Sequence, residues 1–410
     1  MSDYVNDIND RIINGVIDAI DLDREISDEE LLIVIDKTIL KESKSLYISM
    51  VDKHQIKKEV YNSIRKLDVL QELIEDESIT EIMINGSNNI YIEKGGEIFD
   101  SGKNFKSNAK LNDVIQQIVS YSNRIINESS PIVDARLLDG SRVNIVLPPI
   151  SLDGPAVTIR KFPETPITME DLISYGSVTS EVADFLEKLV ISKYNIFISG
   201  GTGSGKTTFL NVLSNFIPKS ERIITIEDSA ELQIRNTSNI VRLEVRNANS
   251  EGKNELNIRD LIKTSLRMRP DRIIIGEVRD GAAFDLLQAF NTGHDGSLST
   301  GHANSTLDML SRLETLVLLA AEIPIVAIRK QISAAIDIIV QLGRLRDRSR
   351  RVLEISEVLN CENGEITINP LYVFKEHSEE NGKIVGELAK TDNQLLNNDK
   401  LYRAGILRND

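Results

Sequence analysis

The sequence has 410 residues, with 48 Lys and Arg against 63 Asp and Glu and a formal net charge of −15. At about 150 residues per domain that length predicts two or three domains, and a hydrophobic content of 41% with 27% charged residues excludes wholesale disorder and collagen-like repetition. The single Cys361 excludes an internal disulfide framework and a cysteine-built zinc site, and the acidic balance excludes a nucleic-acid-coating partner role, because displacing phosphate counterions takes Lys and Arg.

The negative charge is concentrated at the start. Residues 1–30 hold ten acids (Asp3, Asp7, Asp10, Asp18, Asp21, Asp23, Glu25, Asp28, Glu29 and Glu30) against Arg11 and Arg24, a net of −8 that leaves −7 for the other 380 residues. This arm reads as a flexible or partner-docking appendage. The opening MSDYVNDIND lacks the basic start and apolar core of a secretory signal, and the most apolar later run, LVLLAAEIPIVAI, is broken by Glu322 and Pro324. A cytoplasmic chain without a membrane span is therefore expected.

After the arm, Ser27 followed by Glu30 predicts a capping box ahead of the apolar run LLIVI. Val60, Ile64, Leu67, Leu70 and Ile74 then recur at helical spacing, so residues 1–76 are expected to form an acidic arm and a helical region. From Ile79 the texture changes to short strand-like pieces, EIMING, NIYIEK and EIFDS, separated by Asn85-Gly86 and Gly95-Gly96 turns. A helix carrying Leu111, Val114, Ile115 and Ile118 follows, then ARLLDGSRVNIVL with a hairpin turn at Asp139-Gly140, and the alternating AVTIRKF. Residues 77–162 are thus a small α/β domain, and 163–176, with Pro163 and Pro166, a linker.

Over 177–410 strand-like and helix-like segments alternate: NIFIS, a helix after Lys206, RIITIE, IVRLEV, a helix around IRDLIKTSL, RIIIGEV, a helix from Ala282 to Phe290, and GSLST. That order predicts a parallel sheet flanked by helices. No solenoid-type repeat is present.

The sharpest motif lies after the first of these strands. Residues 199–208, SGGTGSGKTT, satisfy G-x-x-x-x-G-K-[ST] between an apolar strand and an amphipathic helix. Gly201, Thr202, Gly203, Ser204 and Gly205 would turn backbone N–H groups onto a phosphate, Lys206 would bridge the β- and γ-phosphates, and Thr207, followed by Thr208, would place its hydroxyl on Mg²⁺. ATP and Mg²⁺ are the expected cofactors.

Two acidic sites follow. RIITIEDSAEL ends its strand in Glu227 and Asp228, at the sheet edge where ligands bind. In RIIIGEV the acid that usually holds Mg²⁺ is replaced by Gly276, so the metal would lean on Thr207, Glu227 and Asp228. Glu277 is left to orient or deprotonate the attacking water. His294 and His302 fall in a Gly/Ser/Thr-rich stretch whose spacing matches no common zinc pattern. They read either as satisfied structural histidines or as a phosphate-sensing or subunit-coupling loop.

These motifs, in their order and spacing, resemble the type II/type IV secretion traffic ATPases, most closely the CpaF-type motors of tight-adherence (Tad/Flp) pili. The resemblance rests on ITEIMINGSNNIYIEKGG, SSPIVDARLLDGSRVNIVLPP, VTIRKF, SGGTGSGKTTFLN, TIEDSAELQI, the segment RPDRIIIGEVRDGAAFDLLQAFNTGHDGSLSTGHANS and the tail RLRDRSRRVLEISEV, and covers roughly residues 70–375. It implies an α/β fold with a RecA-like ATPase domain preceded by a PAS-like, sensor-like domain. It also implies a homo-hexameric ring in the cytoplasm, peripheral at the inner face of the membrane, acting on an inner-membrane platform protein and indirectly on pilin. Glu227 and Asp228 match the family's Asp box, Gly276-Glu277 its degenerate Walker B, and His294 with His302 its His box. Arg136, Arg142 and Arg160 match arginines that the family directs at the phosphates, an arginine-finger role. Asp280 departs from the family, which more often has Gly there.

The run Arg344, Arg346, Arg348, Arg350 and Arg351 reads as a solvated face or a contact for an acidic or membrane-proximal partner. Hydrolysis of ATP by in-line attack of water, driving pilus assembly or protein secretion, is the expected function. A conjugation or effector-secretion ATPase is the nearest alternative, and a P-loop switch or small-molecule kinase the alternative from another class.

Overall fold

Three helices, α1 (Ser2–Ala19), α2 (Asp28–Glu42) and α3 (Met50–Arg65), open the chain in a computed structural model. It describes residues 2–20, 24, 26–44, 46–122, 124–162, 165–246 and 254–407, with residues 2–7 described by their backbone alone. Asp21, Asp23 and Glu25 of the arm, and Pro163 of the expected linker, lie outside the described residues. The chain divides into two compact units, Met1–Glu164 and Thr165–Asp410.

Much of the arm is not an appendage. Ile8, Ile12 and Val16 recur every fourth residue on α1 and are buried against Leu31, Ile35, Ile39, Ile56 and Val60 of α2 and α3. Burying each such side chain contributes about 1.5–3 kcal/mol, enough to hold an acidic helix down while Asp10 and Asp18 stay exposed. Asp10 pairs with Lys106. Only half of the expected capping box forms: Ser27 Oγ accepts from the Glu30 amide at 3.2 Å, but the Glu30 carboxylate turns to Arg24 at 3.1 Å. That ion pair draws the Glu30 pKa below its ordinary value.

The apolar stripe that began in α3 serves two cores. The helix ends at Arg65, Lys66 turns extended and Asp68 adopts a left-handed φ of 54°, so Val60 and Ile64 pack in the helical core. Leu67 and Leu70, with α4 (Leu70–Glu75), join a second core under the sheet. That sheet is antiparallel throughout and contains β1 (Ile79–Asn85), β2 (Asn89–Lys94), β3 (Glu97–Asp100), β4 (Ile132–Arg136), β5 (Arg142–Val146) and β6 (Ala156–Arg160), in the order β3-β2-β1-β6-β5-β4. Alternation along β5 and β6 buries Val143, Ile145, Val157 and Ile159 against Leu111, Val114, Ile115 and Ile118 of α5 (Asn108–Tyr121), as period-two patterning requires.

The second unit starts within the expected linker. Residues Met169–Ser174 form α6, whose N-terminus carries a reciprocal capping box between Thr168 and Asp171 and whose Met169 and Leu172 are buried. There follow α7 (Ser180–Ile191), β7 (Ile196–Gly200), α8 (Lys206–Ser214), β8 (Ile223–Glu227), β9 (Ile240–Glu244), α9 (Ile258–Ser265), β10 (Arg272–Ile275), α10 (Ala282–Phe290) and β11 (Leu298–Gly301). The chain continues with α11 (Thr306–Leu318), α12 (Ile325–Ala335), β12 (Ile338–Arg344), β13 (Arg350–Glu362), β14 (Glu365–Glu380), β15 (Lys383–Lys390) and α13 (Asp399–Arg403).

The nine strands run in the order β15-β14-β13-β12-β7-β11-β10-β8-β9. Strands from β12 to β9 are parallel and β13 to β15 extend the sheet antiparallel. Every residue of β7, β8, β10 and β11 is buried, because helices cover both faces of a parallel sheet. Ile196, Ile198, Ile274 and Val340 point into one core; Phe197, Ile224, Ile226, Ile273 and Ile339 point into the other. The carboxyl ends of β7, β8, β10 and β11 therefore lie along one edge, where a ligand crevice forms in such sheets.

Candidate active site

The loop between β7 and α8 is built on two left-handed glycines, Gly203 (φ 72°) and Gly205 (φ 91°), the latter standing at the N-cap of α8. An L side chain at either would be strained. Ser204 Oγ donates to the Gly201 carbonyl at 2.8 Å and Lys206 Nζ donates to the same oxygen at 2.9 Å, curling the loop around its own backbone. The amides from Gly205 onward are the first of a helix, with no intrahelical acceptor, and carry the positive end of its dipole. Such a cradle binds phosphate.

Lys206 is only 7% exposed, and burial pulls its pKa below the ordinary lysine value while Glu277 opposes the shift. Its Nζ lies 3.3 Å from His302 Nδ1, and His302 Nε2 lies 3.0 Å from Glu277 Oε1. Burial first, and then the cations Lys206, Arg312 and Arg279, hold the His302 pKa below 6.5 against the opposing pull of Glu277. The ring is thus neutral near pH 7. The network assigns its tautomer: Nδ1 accepts from the ammonium and Nε2–H donates to Glu277. Arg279 Nε holds the other Glu277 oxygen at 3.1 Å, and its Nη2 reaches Asp228 Oδ2 at 3.3 Å. One chain of contacts thus links Lys206, His302, Glu277, Arg279 and Asp228 along the carboxyl ends of β7, β11, β10 and β8.

Gly276 is explained by its neighbour. A Cβ added there would stand 3.0 Å from Glu227 Cγ, so the glutamate at the end of β8 fills the space that an acid at the end of β10 would need. Glu227 is itself 3% exposed, and its Oε1 accepts from the amides of Glu231 at 2.8 Å and Leu232 at 3.1 Å. It shapes the loop after β8. Magnesium takes oxygen ligands, keeps several waters and leans on one or two protein oxygens plus phosphates. The Thr207 hydroxyl and Asp228 carboxylate fit that donor set, with Glu227 behind them. Among the described residues no group of three or more His, Cys, Asp or Glu side chains forms a metal cage.

His294 is not brought to this site. β11 pairs with β7 so that Leu298 lies opposite Ile196 and Gly301 opposite Ser199. His302 therefore emerges beside the phosphate loop, and His294 lies before the strand, at the other edge of the sheet. There its Nδ1–H donates to the Ala289 carbonyl at 3.2 Å and its own carbonyl accepts from Ser297 Oγ at 2.7 Å. It closes the turn after α10. Asp280, the family departure, accepts from the Ala282 amide at 2.8 Å and so caps the start of that helix.

In the first unit the register aligns what the sequence left scattered. Arg136 is opposite Arg142, Arg142 opposite Arg160, and Arg160 opposite Glu81. Directly opposed residues share a face, so the three arginines form one row across β4, β5 and β6. Burial pushes the Glu81 pKa up, against the pull of Arg160.

Arg279 was missed by sequence reasoning, although it stands two residues from Glu277. So were Arg344 and Arg350: Arg350 Nε donates to the Gly203 carbonyl at 2.9 Å. Arg344, Arg346, Arg348 and Arg350 are exposed, as a solvated face requires; within that face Arg346 is bidentate to Glu376 (2.7 and 2.5 Å), and the half-buried Arg351 donates to the Gly176 carbonyl at 2.7 Å.

Comparison with known proteins places the chain in a family. Residues 64–385 match the family model described as "Type II/IV secretion system protein". The uncharacterized protein MJ0781 of Methanocaldococcus jannaschii is 41% identical over 247 residues, which cover 58% of this chain and 34% of that protein. The probable conjugal transfer protein TrbB of Sinorhizobium fredii is 34% identical over 326 residues, covering 77% of this chain and 96% of that protein. Among solved structures, the pilus retraction motor PilT with bound ADP aligns with a TM-score of 0.52 at 18% identity, over 83% of this chain and 87% of that one, a likeness of fold.

Proposed function

The chain belongs to the type II/IV secretion system protein family and is an ATPase, and from that premise we propose that it is a hexameric motor powering pilus assembly of the tight-adherence kind. The observation that carries the chemistry is the chain of contacts from Lys206 through His302 to Glu277 beside the phosphate loop. In this reading the loop amides and Lys206 grip the phosphates, and Glu277 orients the attacking water and takes its proton. His302 and Arg279 fix the two Glu277 oxygens in position. Bound magnesium, held by Thr207 and Asp228, would supply charge neutralisation on the phosphates. Arg136 and Arg160, with Arg142 between them in register, are assigned the arginine-finger role, neutralising charge that develops on the transferred phosphoryl group.

The proposed partners are a membrane platform protein and, through it, pilin. No described helix is long and apolar enough to cross a membrane, and the proposed location is the cytoplasmic face of the membrane, reached through those partners. A conjugation ATPase is the second reading, favoured by the match that runs through nearly all of the TrbB relative. Size analysis with and without a non-hydrolysable ATP analogue, coupled to phosphate release, tests the motor. A ring whose turnover rises steeply with protein concentration supports it, and a persistent monomer without activity refutes it. Loss of surface pili on gene deletion identifies the pilus motor; loss of DNA transfer with pili intact identifies the conjugation ATPase.

A further inference from the structure

The hairpin between β12 and β13 meets the phosphate loop from the side opposite Glu277. Leu342 of β12 lies opposite Gly200, so the strand runs out alongside the start of the loop. Arg344 and Arg350 are paired across the mouth of the hairpin, whose turn is closed by Leu345 N to Ser349 O at 2.8 Å and Arg348 N to Leu345 O at 2.9 Å. From this position Arg350 Nε donates to the Gly203 carbonyl at 2.9 Å. A Cβ added to Gly205 would stand 3.5 Å from Arg350 Cδ, and one added to Gly203 would stand 4.0 Å from Arg344 Nη1. Two guanidinium-bearing side chains thus flank the two left-handed glycines.

Their charge is not neutralised locally. Arg346, in the same turn, is committed to Glu376 and Glu379, and Arg351 to the carbonyls of Gly176 and Ile384. Among the described residues neither Arg344 nor Arg350 has a carboxylate partner. In a chain with a net charge of −15, two uncompensated cations beside a phosphate cradle are a local anion-attracting field. A guanidinium fork also matches two phosphate oxygens at once.

The strand order indicates which phosphates they address. Glu277 and His302 follow β10 and β11, on one side of β7; Arg344 and Arg350 belong to β12 and β13, on the other. A γ-phosphate turned toward Glu277 leaves the inner phosphates toward the hairpin. We propose that Arg344 and Arg350 clamp the α- and β-phosphates, the diphosphate common to ATP and ADP, and so set how tightly the ADP product is held. The proposal rests on the reading that nucleotide occupies the 199–208 loop.

Equilibrium titration of the full chain with fluorescent ADP, with unlabelled ATP as competitor, tests it at several salt concentrations. The Arg344→Gln/Arg350→Gln double variant is expected to lose affinity for ADP and ATP alike, on the order of tenfold or more, with a shallower dependence on salt and faster ADP release. Arg350→Lys should recover part of the loss by restoring the charge. Both side chains are exposed, so melting temperatures should stay close to wild type, and Arg344→Gln alone removes a side chain with no hydrogen bond to the fold. Unchanged ADP affinity in the double variant overturns the clamp, as does a loss confined to ATP, which would move both arginines to the γ-phosphate. An unchanged salt dependence would reduce Arg350 to a loop pin. Failure of the wild type itself to bind ADP, matching a Lys206→Ala reference, would overturn the phosphate-loop reading and the clamp together.

Discussion

The two edges of the nine-stranded sheet handle charge in opposite ways. At the amino edge Arg272 is fully buried, with Nε and Nη2 on Glu221 at 2.6 and 3.2 Å and Nη1 on the carbonyls of Val190 at 2.7 Å and Gly296 at 3.1 Å. Gly296 has a φ of 81° and leaves no room for a Cβ, which would stand 2.3 Å from Arg272 Nη1. Beside it the Asn195 side chain donates to the Ala335 carbonyl at 2.7 Å and accepts from the Gly296 and Ser297 amides at 2.8 and 3.1 Å. Polar groups there saturate one another and tie the strand ends together. At the carboxyl edge the linked groups run from buried Lys206 to half-exposed Arg279 and keep unused capacity toward a ligand. A closed polar cluster makes stability; an open one makes a site. His294 and His302, at the two ends of β11, show the same division within nine residues of sequence.

Variants at the two edges should separate in what they damage. Lys206→Ala is expected to have the largest effect, complete loss of measurable nucleotide binding with a melting temperature near wild type, checked by calorimetric titration and thermal melting. Residual binding close to wild type would remove the lysine from the cradle. Arg272→Met, at the other edge, leaves Glu221 with only Lys193 at 3.9 Å and is expected to destabilise the fold by about 3–5 kcal/mol, read from denaturant midpoints. Nucleotide affinity of the folded fraction should be unchanged, and a stable protein with weakened affinity would break the division.

His302→Gln comes next, with turnover falling on the order of tenfold, about 1.4 kcal/mol in barrier, because Glu277 loses one of its two anchors. The sign of the pH dependence follows from the lowered His302 pKa. Below 6.5 the unfolded chain takes up a proton on this ring that the folded ring still refuses. Folded stability from this group is therefore full above 6.5 and declines as pH falls from there through the lowered pKa. Turnover should accordingly hold from pH 8 through 6.5 and drop only below, and that acid limb should shift or vanish in His302→Gln. A limb unaffected by the substitution would assign it to another group. The smallest effect belongs to His294→Ala, which removes one hydrogen bond to Ala289 and is expected to cost about 1 kcal/mol of stability while leaving turnover intact. A large fall in turnover would return His294 to the site.

The same contrast explains what could be read in advance. The central strands are continuous apolar runs, Ile196-Phe197-Ile198 and Ile273-Ile274-Ile275, because both faces of a parallel sheet are covered. The phosphate loop announces itself by glycines whose φ only glycine accepts readily. Glu277 and Glu227 were legible as acids at strand ends. What could not be read depends on register or on contacts distant in sequence. Arg350 reaches Gly203 across 147 positions, and within its basic run nothing distinguishes it from Arg346. In α1 the dense acids masked the fourfold spacing of Ile8, Ile12 and Val16. His294 and His302 look alike as a pair, and only the pairing of β11 with β7 shows that they face opposite edges.

The central claim is that Glu277, anchored by His302 and Arg279, positions the water that attacks the nucleotide held by Lys206. Glu277→Gln keeps the shape of that side chain and removes its basicity, so it tests the claim most directly when nucleotide affinity and single-turnover phosphate release are measured on the same sample. The account predicts affinity close to wild type and phosphate release slowed by about 10²- to 10⁴-fold. Phosphate release at the wild-type rate would contradict it.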